Sequence, residues 1–239
     1  MKKILLSVIS IILLFASSCE KDNNDPKGTS NVNIINATVG GGAIKANVGA
    51  GTSFVYSKAT DLAFGTSGVY GAYLGSNTIK IVSSTDTTKI VFNRTIDLQP
   101  ISTLYIAGQT PNIDTLFRVE KSLPFIPVSL TNPDNSIYIR FVNLSPNSTP
   151  LNITIRSAAT NEVTALGYKG ISDFKKYDAQ STTPNYIFEV RDAATNTLRA
   201  TLTLNTNNNR FKTIALIVKG LMGTTTGTDA FGLFQVNYI

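Results

Sequence analysis

The sequence predicts an all-β protein built from antiparallel β-sandwiches, and three observations carry that expectation. First, apolar and polar residues alternate at the period of a half-buried strand. Leu198, Ala200, Leu202 and Leu204 alternate with Arg199, Thr201 and Thr203, and Tyr186, Phe188 and Val190 alternate with Ile187, Glu189 and Arg191. Second, clusters of turn formers punctuate these runs, at Asn132-Pro133-Asp134-Asn135, at residues 192–196 and at residues 205–209. Third, no window sustains an apolar stripe of helical period between caps. Short strands at such spacing pack as antiparallel sheets face to face.

The first element is the leader MKKILLSVISIILLFASSC. Lys2 and Lys3 form a cationic head, residues 4–15 a mostly apolar run, and Ala16, Ser17 and Ser18 the small residues that suit a peptidase cleft. The run falls short of the ~20 residues of a comfortable spanning helix, so residues 1–18 read as a signal peptide. Small residues followed by the chain's single cysteine, Cys19, resemble the lipobox of bacterial lipoproteins. The resemblance implies that Cys19 is acylated and opens the mature chain, tying it to the bacterial outer membrane. A lipidated Cys19 leaves no thiol for a disulfide, so packing and sheet hydrogen bonds must hold the fold.

Residues 19–30 are polar and aperiodic and read as the lipidated cysteine and its flexible tether. At ~3.3 Å per residue the tether spans about 35 Å when stretched. Glu20 and Asp22 resemble the acidic signal by which some Gram-negative phyla send lipoproteins to the cell surface, which implies surface display.

The 239-residue chain less residues 1–18 is 221 residues, enough for one large or two ordinary domains. It is 42% hydrophobic and only 15% charged, against a usual charged share of ~25%. Thr, Asn and Ser cover the polar positions instead, as suits a β-protein outside the cytoplasm. The formal charge of +6 includes Lys2 and Lys3, so the mature chain carries +4. No basic cluster interleaved with aromatics stands out, and nucleic acid is not an expected partner.

The body repeats itself. Residues 31–37, ending in Asn36-Ala37, parallel residues 138–144, ending in Asn143-Leu144. Leu62-Ala63-Phe64-Gly65 parallels Leu166-Gly167-Tyr168-Lys169, and Tyr70-Gly71-Ala72-Tyr73 parallels Phe174-Lys175-Lys176-Tyr177. Ile79-Lys80-Ile81-Val82 parallels Ile187-Phe188-Glu189-Val190, and Leu104 to Gly108 parallels Leu216 to Gly220. The copies occupy residues 31–128 and 135–239. Each has its own strand set and core, so the second is expected to fold alone, with Leu202 facing its core and Thr203 facing solvent.

The second copy resembles the bacterial repeat catalogued as domain of unknown function 4397. The likeness rests on a strand ending in VNLSPN, a segment bearing Tyr168, Ser172, Phe174 and Tyr177, a Y-x-F-x-V strand and an L-x-x-x-L-x-L strand. The first copy departs from it, with Asn36 to Gly40 in place of the Ser-Pro-Asn step and a Gly-rich stretch over residues 65–75. The resemblance implies tandem β-sandwiches, immunoglobulin-like in architecture, on secreted or lipid-anchored envelope proteins. It brings no catalytic residues to transfer, and only an analogy of fold links it to adhesion.

The chain has no histidine, so the commonest general base and zinc ligand are missing. Asp86, Asp114, Asp134, Asp192 and Asp229 all fall in expected turns, where an Asp caps local backbone. Glu189 reads as a cross-strand partner of the strand's arginine. Gly40-Gly41-Gly42 and Gly49-Ala50-Gly51 lack the Lys-Ser/Thr and helix of a phosphate loop, and the Asn clusters lack calcium-loop spacing. No catalytic residue, metal ligand or cofactor is expected.

Phe54, Tyr56, Phe64, Tyr70 and Tyr73 crowd one stretch of the first copy among Gly, Ser and Thr. Aromatic faces beside small polar groups suit sugar rings and protein contacts. Tyr73 and Phe64 have repeat counterparts in Tyr177 and Tyr168 and read as shared core. Tyr56 and Tyr70 are the expected ligand-binding residues. Asp86-Thr87-Thr88 and Asp114-Thr115-Leu116 also resemble an envelope-protein O-glycosylation motif. The function expected is a non-enzymatic, lipid-anchored envelope protein for binding or adhesion. Its partners would be the membrane, through the N-terminal lipid, and a glycan or surface protein. The alternatives are an accessory glycan-binding lipoprotein of a nutrient importer and a structural component of a surface assembly.

Overall fold

Alternating apolar runs become strands throughout the body. The computed structural model describes residues 27–49, 54–127, 131, 134–180 and 182–238. The first unit contains β1 (Thr29–Asn36), β2 (Ile44–Val48), β3 (Thr66–Tyr73), β4 (Gly75–Ser83), β5 (Ile90–Leu98), β6 (Ile101–Gln109) and β7 (Asn112–Val119). The second contains β8 (Ser136–Asn143), β9 (Leu151–Ile155), β10 (Asn161–Leu166), β11 (Lys175–Asp178), β12 (Tyr186–Asp192), β13 (Leu198–Leu204), β14 (Thr213–Lys219) and β15 (Gly232–Asn237). Among the described residues helix is confined to single turns at Tyr56–Lys58 and Thr206–Asn209, the latter capped by Asn205, whose side chain accepts from the Asn208 N–H at 2.9 Å. Cys19, the tether through residue 26 and Ala50-Gly51 lie outside the described residues.

Sheet order repeats between the units. β3-β1-β6-β7 faces β2-β4-β5 in the first, and β11-β8-β14-β15 faces β10-β9-β12-β13 in the second. Strands pair antiparallel except β1 with β6 and β8 with β14, which are parallel. A parallel pair needs a long crossover, and the chain supplies it by building the facing sheet before returning. The expected all-β sandwich is therefore present, but its connectivity is not the immunoglobulin one. An immunoglobulin sandwich joins its first, second, fifth and fourth strands in one sheet, whereas here the first strand lies between the third and the sixth.

The repeat extends to single hydrogen bonds. Asn36 is fully buried at the end of β1, donates from Nδ2 to the carbonyls of Gly42 and Leu62, and accepts from the Thr38 N–H. Asn143, at the end of β8, is equally buried, donates to the Leu166 carbonyl and Ser148 Oγ, and accepts from the Ser145 N–H. Beyond each asparagine's partner loop the chain needs a left-handed residue to turn back. Gly65 (φ 76°) and Lys169 (φ 61°) fill that position, and their N–H groups donate to the Asn36 and Asn143 carbonyls at 2.8 and 2.7 Å.

Three cores are layered between the sheets. Val32, Ile34, Ile44, Ile79, Ile81, Leu104 and Ile106 fill the first sandwich. Ile137, Ile139, Phe141, Leu151, Phe188, Val190 and Leu216 fill the second. A third core lies between the units, where Ile35, Ala37, Tyr105 and Ala107 meet Val142, Leu144, Ala215, Ile217 and Val236. β1, β6, β8 and β14 are thus buried on both faces, which is why they read as continuous apolar runs rather than alternations. Cutting the units apart would expose this shared layer, so the second unit on its own is expected to be less stable than it is within the full chain.

Polar contacts cross the same seam. Arg140 Nη1 donates to Glu120 Oε1 at 2.6 Å, the Tyr105 and Tyr238 hydroxyls lie 2.9 Å apart, and Lys169 Nζ sits 3.0 Å from Asp114. Lys219 of the second unit lies 4.3 Å over the Phe64 ring of the first.

Leu202 packs against the second core but remains half-buried, because β13 is an edge strand. Leu202→Ala is accordingly expected to cost about 1–2 kcal/mol, below the ~2–5 kcal/mol of a fully buried leucine. Thr203→Ala, on the exposed face, should cost under about 0.5 kcal/mol. Denaturant midpoints check the pair, and equal costs would mean that the strand faces the other way.

Candidate functional site

The two tyrosines expected to bind ligand are not brought onto one open face. Tyr70, on β3, packs its ring against the first core, and burial raises its hydroxyl pKa. Tyr56, in the helical turn, is half-buried: its ring meets Phe54 edge-on at 4.9 Å, its hydroxyl is buried without a hydrogen-bond partner, and burial raises its pKa. Neither ring expected to bind ligand is thus fully exposed.

The open aromatic surface of the first unit is formed by their neighbours. Phe54 is 38% exposed, Leu74 39% and Tyr73 62%. They line a groove of about 990 Å³ at one end of the first sandwich, together with Asn31, Asn47 and Asn77. The backbone there is tightly set. Gly75 turns β3 into β4 at φ 91°, and Asn77 Nδ2 bridges the carbonyls of Tyr73 and Gly75, at 2.8 Å each. The Leu74 N–H donates to the Gly28 carbonyl at 2.8 Å, and a Cβ at Gly28 would stand 2.6 Å from Leu74 Cδ1. The groove therefore sets the exposed Phe54, Tyr73 and Leu74 side chains beside the Asn31 and Asn47 amides, the combination that stacks on a sugar ring and bonds its hydroxyls.

Tyr73 was matched to Tyr177 by letter, but the register says otherwise. Tyr177 pairs with Ile137 of β8, and the equivalent position on β3, opposite Ser30, is Ala72. One residue of offset turns a side chain to the opposite face, so Tyr177 is buried and Tyr73 is exposed. The sequence did carry a signal: Tyr70 and Tyr73 are three apart on one strand and cannot share a face. Phe64 and Tyr168 do play equivalent parts, both at the seam between the units, where burial and the nearby Asp114 push the Tyr168 hydroxyl up to about 12.

The carboxylates are engaged in holding the fold. Asp86 caps the Thr88 N–H and hydroxyl at 3.0 and 2.6 Å, as expected of a turn. Asp192 accepts from the Thr149 hydroxyl and from the N–H groups of Ala194 and Thr195, and these bonds pull its pKa down to about 2. Asp229, in a turn, accepts from the Gly40 N–H at 3.1 Å across the seam, and Asp134 pairs with Lys176 at 2.6 Å. Asp114 differs from expectation in lying within β7, not a turn, where it accepts from Lys169 and from the Thr115 N–H. Glu189 stands between Arg156 at 2.9 Å and Arg191 at 2.7 Å, and these bonds hold its pKa low. The two guanidiniums cover it, so it is buried on what is otherwise an outward face.

A second cleft, of about 610 Å³, opens over the seam, and Glu120, Arg140 and Phe174 contribute to its lining. Arg140 is 1% exposed, with its guanidinium 3.7 Å from the Phe174 ring centre and paired to Glu120. Its charge is already neutralised in place, which suits a clamp between units better than a ligand site.

Among the described residues no three His, Cys, Asp or Glu side chains gather as a metal site, and no helix is long and apolar enough to cross a membrane. Comparison of the chain with protein-family models and with curated proteins finds no match to either.

Proposed function

We propose that this protein is a lipid-anchored component of the bacterial outer envelope that binds a glycan and performs no catalysis. The observation that carries the reading is the groove of Phe54, Tyr73 and Leu74, three large apolar side chains left in water beside asparagine amides. Such exposure costs solvation free energy that a stacked sugar ring would recover. The engagement of the carboxylates described above, in caps and ion pairs, supports a role without chemistry. The Cys19 lipobox and the tether supply the anchor, and the likeness of the second unit to domain of unknown function 4397 agrees with an envelope setting.

A glycan array probed with the full chain tests this. A Phe54→Ala, Tyr73→Ala double variant is expected to lose at least about tenfold in affinity, roughly 1.4 kcal/mol, with an unchanged melting temperature. Tyr70→Ala should instead lower the melting temperature, because that ring packs on the core. Full binding by the folded double variant would contradict the assignment.

A further inference from the structure

The two units put the same strand at the same sheet edge and treat it in opposite ways. In the second unit that edge is β11, four residues reading KKYD. Its lysines are tied down, Lys175 to Glu162 and Lys176 to Asp134, each at 2.6 Å. A short edge carrying lysine resists pairing with another chain. In the first unit the edge is β3, eight residues reading TSGVYGAY, with no charge and no proline.

The backbone phase of β3 follows from its pairing. The Leu74 N–H donates to the Gly28 carbonyl, and the register continues from that pair through Ala72 with Ser30, Tyr70 with Val32 and Gly68 with Ile34. Bonded and non-bonded pairs alternate in an antiparallel ladder. The N–H and C=O groups of Ser67, Val69 and Gly71 and the N–H of Tyr73 therefore point away from β1, while the Tyr73 carbonyl accepts from Asn77 Nδ2. Among the described residues no strand takes them up. Val69 is 65% exposed and Tyr73 62%. The other sheet edges carry charge, as at Lys45, Arg94, Asp114, Glu162 and Arg199, or, as with uncharged β15, lie against β13.

We propose that β3 is a docking edge on which a second copy of this chain adds its own β3 antiparallel, joining two four-stranded sheets into one. Self-pairing about a two-fold axis sets no like charges opposite each other, because the strand carries none. It matches unpaired donors and acceptors of one copy with those of the other. It also places β-branched Val69 of each copy, a residue type that packs well on a pleated surface, on the joined sheet. A second copy fits better than a flexible foreign segment, because its β3 is already extended and held in a sheet, so little chain entropy is lost on pairing. The same pairing through β11 would oppose lysines, which accounts for use of one edge only. Two lipid-tethered copies so joined would present two grooves together, and this last consequence rests on the function proposed above.

Sedimentation equilibrium and amide hydrogen exchange on the full chain in detergent, over a range of protein concentrations, test the proposal. A concentration-dependent dimer is expected, with slowed exchange at Val69, Gly71 and Tyr73 as the dimer fills. Val69→Lys should shift the chain to monomer with an unchanged circular dichroism spectrum, while Val69→Thr should leave the dimer in place. A monomer at every concentration, a dimer that persists in folded Val69→Lys, or a dimer whose β3 amides still exchange rapidly would each overturn it. The exchange pattern of the unmodified chain decides the matter even if Val69→Lys fails to fold. The readout involves no glycan, so failure here and failure of the groove assignment are separate results.

Discussion

Arg140→Ala is expected to lower the unfolding free energy by about 3–5 kcal/mol, the range for breaking a buried ion pair on one side. Arg140 and Glu120 are 1% and 6% exposed and meet at 2.6 Å across the seam. Removing the arginine leaves Glu120 with Arg118 alone, at 3.2 Å and partly solvated, which places the loss toward the lower end. The variant also empties the space beneath the Phe174 ring. Arg118→Ala, at a partly exposed side chain, should cost under about 1 kcal/mol. Replacing both buried partners together, as Arg140→Met with Glu120→Leu, should recover most of the loss, because apolar packing substitutes well for a buried pair. Urea midpoints of the three variants check the series. A small effect of Arg140→Ala would mean that the seam is not sealed.

Phe188→Ala is expected to cost about 3–5 kcal/mol. Phe188 is fully buried at the centre of the second sandwich and meets Phe141 at 5.3 Å and Tyr177 at 5.8 Å, both edge-on. The substitution removes a ring from three aromatic contacts at once, Tyr186 at 6.0 Å being the third, and β-strands on both sides leave little room to collapse. Its neighbour across the ladder, Leu202, faces the same core from an edge strand. The contrast between the two variants therefore measures depth of burial on a single face. Equal losses would contradict the burial gradient across β12 and β13.

Much of this architecture was legible in the sequence, for definite reasons. β12 and β13 lie where one face is buried, so their alternation shows directly. The parallel of Asn36 with Asn143 is also legible, since each side chain satisfies its own loop with its amide donor and its carbonyl acceptor together. Matching by letter failed where facing decides. Ile79 was set beside Ile187, yet the pairing of Ile79 with Val48 and of Phe188 with Ile155 places Ile79 and Phe188 on equivalent inward positions. The shared third core left a trace, in the unbroken apolar runs of β6 and β14, but such a run does not say what covers the second face. Arg140 left none, because one cation in an apolar strand looks the same whether it meets water or a carboxylate from the other unit. The groove is half legible: composition marks the aromatic stretch, and strand parity, not composition, selects Tyr73 over Tyr70.

A duplicated sandwich welded through that third core into one body, which carries the groove and the open β3 edge, should melt as a single unit. Scanning calorimetry of the full chain is expected to show one transition whose calorimetric enthalpy equals its van't Hoff enthalpy. Two resolved transitions, or a calorimetric enthalpy about twice the van't Hoff value, would contradict it and return the units to independent domains.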